Sequence, residues 1–119
     1  MISRAIDLTT FAELSEKAAL SERGRANLNF HPHLDDPVQR FLNAIEPGSY
    51  VRPHRHVAPA AKWELFVLLA GAATVLIFDQ DSTVLERIDL DLDLGKRAVE
   101  VPPGVWHTVF ATESGTGSK

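Results

Sequence analysis

Glu64-Leu65-Phe66-Val67-Leu68-Leu69-Ala70-Gly71-Ala72-Ala73-Thr74-Val75-Leu76-Ile77-Phe78-Asp79 contains the most apolar segment of the chain, and Gly71 divides it into two short runs. The same texture extends to both sides. From residue 38 onward, short runs of apolar and β-branched residues alternate with turn residues, and the pattern predicts strands at 39–45, 49–52, 64–70, 74–79, 83–90, 98–101 and 107–111. Pro47-Gly48, Gly71, Gln80-Asp81-Ser82, Gly95 and Pro103-Gly104 separate them. Strands this short, divided this regularly, predict a mainly β protein, either a sandwich or a barrel. Asp89-Leu90-Asp91-Leu92-Asp93-Leu94 alternates strictly and reads either as an extension of the fifth strand or as an acidic loop with buried leucines. It lacks the loop glycine and terminal Glu of a calcium-binding hand.

Upstream, one short helix is expected. Thr10 and Glu13 have capping-box spacing, Phe11, Leu14 and Ala18 form an apolar stripe, and Glu13 and Lys17 make an i,i+4 pair on a solvated face. Gly24 is expected to end it, and the helix then caps the β structure or a neighbouring subunit. Residues 25–37 read as a polar connector carrying His31 and His33, and 114–119 as a flexible tail of Gly, Ser and Thr ending in Lys, a linker or an artefact. The predicted organisation is helix and connector over 1–37, β-barrel over 38–111 and tail over 112–119. The whole, 119 residues, is the size of one domain with its own core.

Composition narrows the chemistry. The formal charge is −4 and no basic excess exists, so no nucleic-acid partner is expected. The N-terminus leads into an amphipathic stretch, with no signal peptide or membrane span visible, so no membrane partner and a cytoplasmic location are expected. There are no cysteines, which excludes disulfides and thiolate sites and leaves imidazoles and carboxylates as metal ligands.

Three features carry pointed chemistry. In Pro53-His54-Arg55-His56, strand alternation throws His54 and His56 to one side and Arg55 to the other, so two imidazoles can share an ion; the alternative is two surface histidines after a proline turn. Glu64 opens the apolar run, where it sits either in water at the strand mouth or inward beside a partner. In Pro102-Pro103-Gly104-Val105-Trp106-His107 a sharp reversal delivers a histidine to the start of the next strand, as a ligand or as a structural residue beside Trp106. Jointly the three give His, His, Glu and His, each beside a turn.

These residues resemble the two motifs of the cupin superfamily. Gly48, five residues, His54-x-His56, a spacer, Glu64, six residues and Gly71 match the first. Gly95, a spacer, Pro102-x-Gly104, two residues and His107 match the second. The spacers from His56 to Glu64 and from Gly95 to Pro102 are longer than usual, and Ala111 stands where Asn is frequent. A narrower resemblance accommodates the first spacer. Residues 25–40, with Asn29, His31 and Val38-Gln39-Arg40, are similar to the lead-in of the WbuC-like cupin-fold metalloproteins, as are Gly48-Ser49-Tyr50-Val51-x-Pro53-His54-x-His56 and Trp63-Glu64-x-Phe66. The resemblance implies a single cupin (double-stranded β-helix, jelly-roll) barrel holding one divalent ion through His54, His56, Glu64 and His107. Members continue past the last histidine with another strand. Here Gly, Ser and Thr follow, so a strand is expected to be missing or supplied by a neighbour.

Mixed nitrogen and oxygen ligation suits Fe, Mn, Ni, Co or Zn and does not choose among them. Open coordination positions suit a metal-dependent isomerase, epimerase or oxygenase on a small polar molecule, with a sugar-derived substrate resting on family analogy. The alternative is a non-catalytic module that binds or senses a small molecule. Arg52, two residues before His54, is expected to bind a substrate carboxylate or phosphate. Phe66 and Trp106 are candidate stacking walls or plain core, Asn29 a candidate substrate contact, and His31 the candidate general base, with a surface loop as its alternative. A homodimer is expected, because edge strands need cover and cupins commonly pair.

Overall fold

The structure, a computed structural model, describes residues 3–33, 35, 40–56 and 62–118. The expected boundary at 37/38, the first residue of the predicted strand 39–45 and Lys119 lie outside them.

Eight strands follow one helix: α1 (Leu8–Leu20), β1 (Arg25–Asn29), β2 (Phe41–Ile45), β3 (Glu64–Ala70), β4 (Ala72–Phe78), β5 (Val84–Asp91), β6 (Ala98–Val101), β7 (Trp106–Ala111) and β8 (Thr116–Ser118). They form two antiparallel sheets, one ordered β1-β2-β8-β3-β6 and one ordered β5-β4-β7. The mainly β expectation holds. Among the described residues the two sheets do not close edge to edge into one hydrogen-bonded barrel.

Alternation decides what lies between the sheets. On β3, Phe66 and Leu68 point inward; on β4, Ala73, Val75 and Ile77 do so; Leu90 and Val101 complete the buried core. Registers Ile77↔His107 and Val75↔Val109 carry the inward face of β4 onto β7. Glu64↔Val101 and Phe66↔Val99 do the same from β3 to β6.

A second, smaller core lies outside the larger sheet. Leu14 and Ala18 of α1 pack with Leu42 and Ala44, and Phe11, Ala26 and Leu28 close around them. The helix therefore caps its own chain's β1 and β2. Its capping box falls one turn earlier than expected: the Asp7 carboxylate accepts from the Thr10 N–H at 3.1 Å, and the Thr10 hydroxyl oxygen accepts from the Asp7 N–H at 3.4 Å. Thr10 is the third helical residue, not the cap. The helix stops at Leu20, where Ser21 turns extended, and Gly24 belongs to the following turn.

Three expectations fail. The connector contains β1, whose Arg25, Asn27 and Asn29 face one way and Ala26 and Leu28 the other; asparagine is depleted in strands, which hides it. Residues 49–52 are not a strand. Pro53 has no N–H to continue a ladder, and the carbonyls of Tyr50, Val51 and Arg52 accept instead from the side chains of Arg25, Thr108 and His54. The supposed tail contains β8, which fills the slot between β2 and β3 with Thr116 and Gly117 buried. The strand expected to be missing is supplied by the chain's own Gly-Ser-Thr residues.

Space, not propensity, selects them. A Cβ on Gly71, where φ is +77°, would come within 2.7 Å of the Thr116 Cα. A Cβ on Gly117 would meet the Phe11 ring at 3.2 Å. The Thr116 hydroxyl accepts from the Ala72 N–H at 3.1 Å and donates to the Glu113 carbonyl at 2.7 Å. Glu46 secures the approach to β8, accepting from the Ser114 hydroxyl at 2.7 Å and the Gly115 N–H at 3.0 Å. β1, from the expected connector, and β8, from the expected tail, thus belong to the same sheet as β2, β3 and β6.

Candidate metal centre

Backbone pairing at one end of the sandwich brings three segments together. His54 and His107 are a hydrogen-bonded antiparallel pair: the His54 N–H donates to the His107 carbonyl at 3.0 Å and the His107 N–H to the His54 carbonyl at 2.9 Å. Directly opposed residues share a face, so the two rings meet with centroids 4.3 Å apart. His56, two residues on, lies on the same side, its ring 5.5 Å from that of His54 and 5.6 Å from that of His107. Arg55 points away, its guanidinium 4.9 Å over the Trp106 ring. The turn before β7 fixes the register: Gly104, at φ +77°, donates its N–H to the His56 carbonyl at 2.9 Å.

Glu64, first residue of β3, enters from the other sheet. Its Oε2 lies 2.7 Å from His56 Nε2 and 3.1 Å from His107 Nε2. His107 is 1% exposed, whereas the His56 side chain is 45% exposed, so the group is sealed on one side and open on the other.

The histidines are oriented by a repeated device. The Nδ1–H of His54 donates to the Arg52 carbonyl at 2.9 Å, and the Nδ1–H of His107 to the Val105 carbonyl at 2.9 Å. A carbonyl oxygen only accepts, so each Nδ1 carries the proton and each Nε2 is left to the cluster. In the metal-free protein the same contacts favour a charged pair between His107 and Glu64. Burial alone would lower the His107 pKa, but the hydrogen bond to Glu64, the Val105 carbonyl and the Glu64 charge outweigh it and raise it. Burial alone would raise the Glu64 carboxyl, but hydrogen bonds from His107 and His56 and their charges hold it below its ordinary value.

One donor atom from each of His54, His56, Glu64 and His107 can be chosen so that all lie within 4.8 Å of one another. Ligands about 2.1 Å from a shared ion are separated by roughly 3.0–4.2 Å, so the widest pair needs to close by about half an ångström. Three imidazoles and a carboxylate are a fitting donor set for a divalent transition metal. The group can hold a metal ion.

Beside it is a cavity of about 440 Å³ lined by His54, Glu64, Phe66 and Arg52. Phe66 is buried core and meets the His107 ring edge-on at 6.0 Å. Trp106 does not join the cavity. It faces the other side of β7 and lines a separate groove with Arg55, Leu85 and Val99. His31 is also elsewhere, at the far end of the β1–β2 pair, buried, its Nδ1 accepting from the Arg40 N–H at 3.0 Å. His31 is not among the residues that line the cavity. Asn29 lies on the cavity-facing side of β1 but beyond the lining. The polar lining that the sequence reading missed is Arg23, Arg25, Asn27 and Asn43. Reading residues 25–29 as a strand would have put Arg25 and Asn27 on one face.

No helix of the described residues is long and apolar enough to cross a membrane. A family model described as a domain of unknown function (DUF6016) matches residues 6–90 and includes His54, His56 and Glu64. The chain belongs to that family. No curated protein matches it.

Proposed function

We propose that this DUF6016 protein is a cupin-type jelly-roll metalloprotein, similar to the WbuC-like group, that holds one Fe, Mn, Ni, Co or Zn ion through His54, His56, Glu64 and His107. The observation that carries the reading is the convergence of four donors within 4.8 Å, two of them with Nδ1 already engaged by a carbonyl. The open side and the adjoining 440 Å³ cavity suit a small polar substrate. When bound, the ion supplies Lewis-acid chemistry for isomerisation or epimerisation, or dioxygen chemistry if it is iron. The chain's own residues orient the imidazoles, keep His107 from water and leave Phe66 as an apolar wall.

A second reading, a non-catalytic module that binds or senses a small molecule, is favoured by one observation. Beyond the four ligands, the cavity lining among the described residues holds no carboxylate or imidazole to act as acid or base. A second copy of the chain is the proposed protein partner, and exposed Trp63, Leu65 and Leu69 at and along β3 support it.

Elemental analysis of the native protein and of the His54→Ala/His56→Ala variant tests the metal reading. Near-stoichiometric metal that disappears in the variant is expected. A native protein that stays metal-free after reconstitution with iron, manganese, nickel and zinc sinks it.

A further inference from the structure

The cavity beside the cluster has a charge the chain as a whole lacks. The protein carries a formal charge of −4, yet the lining includes Arg23, Arg25 and Arg52 against a single carboxylate, Glu64. Local charge of opposite sign to the whole selects a ligand rather than reflecting general composition. One guanidinium is held in place: Arg25 donates through Nη1 to the Tyr50 carbonyl at 2.9 Å, two residues from Arg52 and four from His54. Its other N–H groups stay available for a fork-like contact with two oxygens.

The stretch of the lining next to Arg25 on β1 and β2 is suited to neutral oxygens. Asn27 and Asn43 are cross-strand partners whose side-chain amides bond at 2.9 Å. Either orientation of that pair leaves one amide NH2 and one carbonyl oxygen free, a donor and an acceptor side by side, as an alcohol requires. Ile45, Phe66 and Val109 offer apolar surface between. His54 and Glu64 complete the lining, so a ligand seated there reaches the metal group.

We infer that this cavity selects a small hydroxylated anion, a sugar acid or a sugar phosphate, with its charge on Arg25 and Arg52 and its hydroxyls on Asn27 and Asn43. The inference deepens the metal reading and rests on it for the ligand's second anchor only.

Isothermal titration of the metal-loaded protein with D-gluconate, D-glucose 6-phosphate, inorganic phosphate and neutral D-glucose tests it. Gluconate or glucose 6-phosphate is expected to bind at least ten times more tightly than glucose or inorganic phosphate, and whichever is tighter assigns the anion as carboxylate or phosphate. Arg25→Gln/Arg52→Gln is expected to weaken that binding at least tenfold with metal content unchanged. Arg52→Gln alone weakens it less; its side chain makes no hydrogen bond among the described residues, so the fold does not depend on it. Glucose binding as well as the anions, inorganic phosphate binding as well as the hydroxylated anions, no binding of any probe, or unchanged affinity in the folded arginine variants overturns the inference. Anion binding by a protein that takes up no metal leaves it standing and removes the metal reading instead.

Discussion

Two regions of the molecule each bring distant segments together, by opposite means. At the candidate metal centre, the backbone bridge between His54 and His107 and the start of β3 bring four polar side chains, His54, His56, Glu64 and His107, face to face. At the seam where β8 enters the larger sheet, Gly71, Thr116 and Gly117 meet because they have almost nothing to collide with. The first region is polar chemistry at the strand ends, where His107 and Glu64 belong to the β4–β7 and β3–β6 ladders and a single bridge ties His54 to His107. The second is packing, with Thr116 only 2% exposed and bonded on several sides. Function and stability should therefore be separable by mutation.

The largest effect expected is on metal binding. His107→Ala removes a buried ligand and leaves Glu64 short of a partner, and metal affinity should fall at least ~10³-fold, about 4 kcal/mol. The metal-free fold should lose far less, as denaturant melts of the apo protein would reveal; equal losses in both would collapse the distinction between the regions.

Gly71→Ala is the mirror experiment. It combines a left-handed backbone with a clash against the Thr116 backbone, and should cost roughly 3 kcal/mol of folding stability. Equilibrium unfolding with and without metal checks it: the midpoint should drop in both, while refolded protein still takes up one ion per chain.

The pH dependence sharpens the comparison. The His107 pKa is raised from 6.5 in the metal-free protein, so its contact with Glu64 contributes stability that is full below 6.5 and lost as pH rises through the raised value. The Glu64 pKa is lowered from 4.5, so its contribution is present above 4.5 and lost as pH falls through the lowered value. Metal must displace the His107 proton, so affinity should climb as pH rises through the raised value and then level off. Melting temperatures with and without metal across that range should diverge upward; a constant difference would mean His107 is not a ligand.

The smallest effect is expected at the helix start. Asp7→Ala removes the cap carboxylate and should lower the melting temperature slightly, with no change in metal content.

Legibility in the sequence followed the same division. Histidines at His54, His56 and His107 are rare residues at telling intervals, and Glu64 stands out against the apolar run that follows it. β3 and β6 were predicted to the residue, because turn residues bound them sharply. β8 and β1 were not. Thr116-Gly117-Ser118 has the composition of a linker and becomes a strand only because Phe11 and Gly71 leave a slot of that width. Arg25-Ala26-Asn27-Leu28-Asn29 looks polar because one face lines a cavity, a fact that exists only after β2 is paired to it. His31 and Trp106 lie outside the cavity lining for a related reason: a backbone contact holds the one and strand parity turns the other to the far side of β7.

The most direct test of the central claim is an anomalous-diffraction map of the metal-reconstituted protein collected at the metal's absorption edge. One peak is expected, about 2.1 Å from Nε2 of His54, His56 and His107 and from a carboxylate oxygen of Glu64, with at least one further position open on the cavity side. A peak elsewhere, or none at that cluster in protein that binds metal stoichiometrically, would contradict it.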